Sequence, residues 1–187
     1  MVIKEKVAEI REIINKYDNV KLVAATKYMN IEQTREIIEA GVTDLGENRT
    51  DLFLEKYEAL KDYNINWHFF GVLQSRKVKD VANRISCLHS LDRPSLAKEL
   101  DKRLNNPLDC FVQINISEEP NKQGIPLSRT KAFVKSLKDC KNIRIIGLMC
   151  IGKLTADTDV LREEFSKMQK MQKEIEAMNL EYARKVL

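Results

Sequence analysis

Glycine is scarce in this chain. Six occur in 187 residues, and no G-x-G-x-x-G turn is among them. That removes the usual signature of a dinucleotide site placed after a strand. Long apolar runs are missing too: none approaches the roughly 18 residues that a membrane-crossing helix needs. The opening MVIKEKVAEI carries charges where a signal peptide needs an apolar core. There is no strong charge of one sign. The 32 basic and 28 acidic residues leave a net charge of +4 and are interspersed, with no basic patch interleaved with aromatics. Nucleic acid is therefore not an expected partner. Cysteine is limited to Cys87, Cys110, Cys140 and Cys150, with no C-x-x-C pair. These read as free thiols of a reducing compartment, which points to the cytoplasm. The two histidines are not spaced with the cysteines in a zinc-ligand pattern, so no metal site is expected.

What is present is alternation. With 43% hydrophobic and 32% charged residues, the composition is that of a folded globular chain, and residues 1–187 are enough for one domain with a single core. Short apolar runs at Leu22–Ala25, Asp44–Gly46, Trp67–Gly71, Cys87–Leu91, Cys110–Ile114 and Ile145–Ile151 read as strands buried on both faces. Between them lie helical stretches at 31–40, 49–60, 75–83, 94–104 and 128–137. A leading amphipathic helix is marked by Ile3, Val7, Ile10 and Ile14. A last long one is marked by Phe165, Met168, Met171 and Ile175, whose spacing suits packing against a sheet. Strand–helix repetition predicts an α/β fold with a parallel sheet. Without a glycine-rich turn a (β/α)8 barrel is favoured over an open doubly wound sheet, but only about six βα units can be counted where a barrel has eight.

Function in such folds gathers at the C-terminal ends of strands. Lys27 follows the first apolar run directly and is in phase with Val23 and Ala25. Spacing leaves two readings of it: a partly desolvated amine able to attack a carbonyl, or a lysine leaving the strand for solvent. Glu47 and Asn48 end the second run, where they could orient a ligand or, for Asn48, cap the next helix. His68 lies among apolar neighbours, as a satisfied core histidine or a ligand contact. Gly71 marks either close approach to a ligand or a tight βα turn. The polar segment 113–125 is a lid, a ligand contact or a solvated loop.

Taken in order, Val23-Ala24-Ala25-Thr26-Lys27, Gly46-Glu47-Asn48, the stretch from Trp67 to Lys77, Gln113-Ile114-Asn115 with Lys122 and Gly124, and Gly147-Leu148-Met149 resemble the pyridoxal-phosphate homeostasis protein family. These are barrels of the alanine racemase N-terminal type without a racemase's second domain. The resemblance implies pyridoxal 5'-phosphate (PLP) as cofactor, held as a Schiff base on Lys27, with Asn48, His68 and Met149 around the pocket. It also implies a role in vitamin B6 balance rather than catalytic turnover. The runner-up readings are a PLP-dependent racemase-like enzyme and an inactive, shortened family member. The stretch Glu181–Leu187 does not resemble the family's last strands and phosphate-binding segment. From this we expect an incomplete barrel, weakened PLP binding, and self-association through exposed strand edges in place of the monomer implied for a complete chain.

Overall fold

The computed structural model describes residues 2–183, so part of the closing stretch 181–187 lies outside the described residues. After helix α1 (Ile3–Ile14) the chain runs β1 (Ala24–Ala25), α2 (Ile31–Glu39), β2 (Asp44–Glu47), α3 (Thr50–Ala59), β3 (Asn66–Phe69) and a short α4 (Val78–Val81). It continues through β4 (Cys87–Leu91), α5 (Pro94–Arg103), β5 (Leu108–Asn115), β6 (Ile125–Pro126), α6 (Thr130–Ser136), β7 (Ile143–Cys150) and α7 (Thr158–Glu176). All pairings are parallel, in the order β1-β2-β3-β4-β5, with β7 beyond β5. Ile114 of β5 pairs with Cys150 of β7 on one side and with Ile125 of β6 on the other. Among the described residues β1 pairs only with β2, and β7 only with β5, so the sheet does not close. This is the incomplete barrel expected from the sequence.

Strand periodicity sorts the side chains onto two faces. Leu45, Trp67, Phe69, Leu88, Cys110, Val112 and Ile114 are buried in the layer between sheet and helices. Phe53 of α3 is fully buried there and meets Trp67 and Phe69 edge-on, at centroid distances of 5.6 and 6.3 Å. The opposite, concave face carries Asp44, Gly46, His68, Phe70, Cys87, His89, Phe111 and Gln113. Helix starts follow local chemistry. Asn30 accepts from the Gln33 N–H at 2.8 Å, and the Gln33 side chain accepts from the Asn30 N–H at 3.0 Å, a reciprocal cap for α2. Asp157 caps α7, and Met168, Met171 and Ile175 bury its apolar stripe, while Phe165 stays exposed.

Three elements differ from expectation. β1 pairs only at Ala24–Ala25, because an edge strand is held from one side. The 75–83 helix is one α turn flanked by 3-10 turns, since Val78, Val81 and Ala82 offer a single turn of apolar anchor. β6 is two residues inside a polar loop, too short to carry a period. Among the described residues, no helix is long and apolar enough to cross a membrane.

Candidate functional site: the Lys27 cavity

Lys27 occupies the turn directly after β1 and is half-buried, with Nζ 5.0 Å from the centre of the Tyr28 ring. It lines a cavity of about 490 Å³ at the C-terminal ends of the strands. Ala25 lines the same cavity, as the shared strand phase requires, and Asn48 enters it from the end of β2. Phe70, Gln113 and Asn115 belong to the strand-end wall too. Asn121, Lys122 and Gln123 of the polar loop also line the cavity. The loop is folded back by Asn115, whose Nδ2 donates to the carbonyls of Glu119 (2.8 Å) and Lys122 (3.4 Å). Lys122 is paired with Glu119 at 2.8 Å. Asn115 Oδ1 is buried and has no hydrogen-bond partner.

Two glycines shape the wall. A Cβ on Gly46 would lie 2.0 Å from the Phe70 ring, so only glycine lets that ring lie against β2. A Cβ on Gly71 would lie 1.8 Å from the Asn48 carbonyl oxygen. Gly71 therefore serves the close approach of two strand ends and brings Asn48 into place. Asn48 is not the helix cap: α3 starts after Arg49 and has no side-chain cap.

Behind Lys27, on the helix side, is a buried network that sequence reasoning missed. Lys56 Nζ donates to Glu47 Oε1 (2.5 Å) and to the Thr26 carbonyl (2.6 Å), and Thr26 Oγ1 donates to the same carboxylate oxygen (2.6 Å). The Lys56 and Glu47 side chains are 4% and 0% exposed. Glu47 thus faces away from the cavity, and the network fixes the backbone immediately before Lys27. The signal was present in helix phase: Lys56 shares the buried stripe of α3 with Phe53 and precedes buried Leu60 by one turn.

His68 and Met149, which the resemblance places around the pocket, do not line this cavity. His68 is buried on the same concave face but toward the N-terminal end of the strands, where it lines a second cavity with Asp44, Cys87 and His89. Its Nε2 lies 3.1 Å from Asp44 Oδ1, and its Nδ1 lies 2.7 Å from His89 Nε2. Phe70, two residues further on and just past the end of β3, lines the cavity with Lys27. Met149 is in register with Gln113 of β5 but lies on the outermost strand, where it lines a groove with Phe165 and Met168 of α7. Burial lowers the pKa of His68, opposed by the Asp44 carboxylate, and burial with the neighbouring His68 lowers that of His89 to about 4. Burial also works to raise the Asp44 pKa, but hydrogen bonds from His68 and Thr43 and the Lys21 cation outweigh it, and the net direction is down.

An unclosed parallel barrel with a lysine at the end of β1 defines a class, and the alanine racemase N-terminal domain family matches residues 2–185. Within that class the chain belongs to the pyridoxal phosphate homeostasis protein family. It is 36% identical over 159 residues to the pyridoxal phosphate homeostasis protein of Aquifex aeolicus, covering 83% of this chain and 70% of that protein. PipY of Synechococcus elongatus PCC7942, solved without PLP, superposes with a TM-score of 0.89 at 27% identity, covering 98% of this chain and 86% of that one. The same protein with PLP bound gives a TM-score of 0.87 at 25% identity, with 98% and 85% covered.

Proposed function

We propose that this chain binds PLP on Lys27 as a Schiff base and serves vitamin B6 homeostasis as a carrier without turnover. The observation that carries the reading is the placement of Lys27 and Asn48 together in one strand-end cavity, in a chain whose relative PipY has been solved with PLP bound. The residues present fit such a cofactor. A primary amine lines the cavity, Phe70 offers an apolar flank for a ring, and Asn48 and Gln113 offer polar contacts. Asn115 Oδ1 is an acceptor free for a ligand donor. PLP would supply an aldehyde as the electrophile, and the Lys27 amine would be its nucleophilic partner. Lys27 would hold it, Asn48 and Gln113 would orient it, and the folded loop bearing Asn121, Lys122 and Gln123 would limit solvent access.

The carrier reading is favoured over a racemase-like enzyme by the poverty of proton-transfer groups. Racemisation needs an acid/base on each side of the reacting carbon. Among the described residues lining the cavity, the titratable side chains are Lys27 and Lys122, and the latter is ion-paired with Glu119. The four free thiols fit a reducing compartment, so a cytoplasmic location belongs to the same proposal.

The test is to incubate the protein with PLP, reduce with borohydride and map the adduct by peptide mass. An adduct confined to the Lys27 peptide and lost in Lys27→Ala is the expected result. No adduct, or labelling scattered over many lysines, overturns the proposal and favours an inactive family member. Amino-acid racemisation abolished by Lys27→Ala would instead establish the enzyme.

A further inference from the structure

We propose that His68, Cys87 and His89 form a binding site for a divalent transition-metal ion of the zinc type, on the concave face below the Lys27 cavity. The argument is independent of PLP binding. The sheet register makes the site: Cys87 and His89 are two apart on β4 and so share a face, and His68 of β3 is the register partner of Cys87. The three ligand atoms lie within 4.8 Å of one another. Linear spacing argued against a metal because it sees only the Cys-x-His pair, whereas the third ligand arrives from the neighbouring strand.

The donor chemistry is that of zinc: two imidazoles and one thiol. Ligands about 2.0–2.3 Å from a tetrahedral ion are about 3.3–3.8 Å apart. The 2.7 Å contact between His68 Nδ1 and His89 Nε2 must therefore open by a little over half an ångström, which ring rotation supplies. That contact already defines the tautomers. Asp44 is an acceptor, so His68 Nε2 carries the hydrogen and the neutral ring presents its Nδ1 lone pair to His89. An ion entering here takes the His68 Nδ1 and His89 Nε2 lone pairs, the neutral His89 ring carrying its hydrogen on Nδ1 instead, and replaces the proton of the Cys87 thiol, so one proton leaves for each ion bound. Asp44 then stands as the carboxylate behind a metal-bound histidine, an arrangement that fixes ring orientation. On the far side, Phe111 stacks on His89 with a centroid distance of 4.6 Å and 24° between planes. All three ligands line one cavity of about 560 Å³, whose wall also holds Asp44, paired with Lys21, and Asp109, paired with Arg144.

Cobalt(II) chloride, added to the 187-residue chain after chelator treatment, is the probe. The expected result is saturation at one ion per chain, with a thiolate charge-transfer band in the near ultraviolet and intense visible bands of tetrahedral cobalt, both displaced by zinc. Cys87→Ser abolishes the charge-transfer band and Cys150→Ser leaves it intact, each with unchanged far-ultraviolet circular dichroism. Asp44→Asn keeps the bands but weakens affinity about 10- to 100-fold. X-ray absorption of the zinc-loaded wild-type chain needs no variant and shows one sulfur with at least two imidazole nitrogens. Absence of a saturable band, a band that survives Cys87→Ser, or a sulfur-free zinc shell overturns the proposal.

Discussion

At the scale of single residues, the most consequential side chain after Lys27 is one that never touches the cavity. Lys56 neutralises the buried Glu47 carboxylate and ties the Thr26 carbonyl, so the turn bearing Lys27 is anchored through helix α3. Removing one member of a buried pair leaves the other charge without compensation, at about 3–5 kcal/mol. Lys56→Met is expected to lose that much in urea unfolding and to lower the yield of the Lys27 adduct. The double variant Glu47→Gln/Lys56→Met is expected to recover much of the stability, because no isolated charge remains. Equal destabilisation by the single and double variants would show that packing, and not charge, carries the effect. Phase with Ala25 left Lys27 open between a cavity-facing amine and a lysine leaving for solvent, and the resemblance of the motifs around it singled it out. Lys56 is in phase with the buried stripe of α3, but a lysine on an amphipathic helix ordinarily lies at the solvent margin, and the position of Glu47 behind the sheet is what places it inside.

At the scale of elements, α3 illustrates how burial is won. Phe53 is enclosed by Trp67, Phe69 and Tyr57, with centroid distances of 5.6, 6.3 and 5.6 Å. Truncating such a ring leaves a cavity that a rigid sheet–helix layer cannot collapse. Phe53→Ala is expected to cost about 3–5 kcal/mol in denaturant unfolding, and a loss below 1 kcal/mol would mean that the layer relaxes around the gap. The strands show the opposite economy. Their termini are held by close approach rather than bulk, as where Gly71 lets the β3 end lie on the Asn48 carbonyl. Sequence reading left Gly71 as close approach to a ligand or a tight βα turn; its close approach is to the backbone of Asn48, 23 residues earlier in the chain.

At the scale of the whole molecule, the outer strands govern behaviour. β7 is eight residues long and, among the described residues, is paired only with β5, while β1 is paired over two residues with β2 alone. Unpaired parallel edges offer backbone donors and acceptors to another chain. Light scattering behind size-exclusion chromatography is expected to show mass rising with concentration. A constant monomer mass up to high concentration, with a single sharp thermal transition, would show that the edges are satisfied within the chain.

The sequence by itself determined the alternation of strands and helices, the barrel type, and the family, because apolar period and the ordered motifs around Lys27, Asn48 and Trp67 are local properties of the chain. It also indicated Lys27 and Asn48 as strand-end neighbours, since both follow directly from where β1 and β2 stop. Tertiary structure decided the rest. It separated His68 and Met149 from the Lys27 cavity: alternate residues along one strand share a face but stand at different heights, and the outermost strand turns toward α7. It brought His68 beside Cys87 and His89, and it buried Lys56 against Glu47. These are matters of register between strands and of helix docking, both set by which hydrophobic faces meet, and no spacing along a single chain records that.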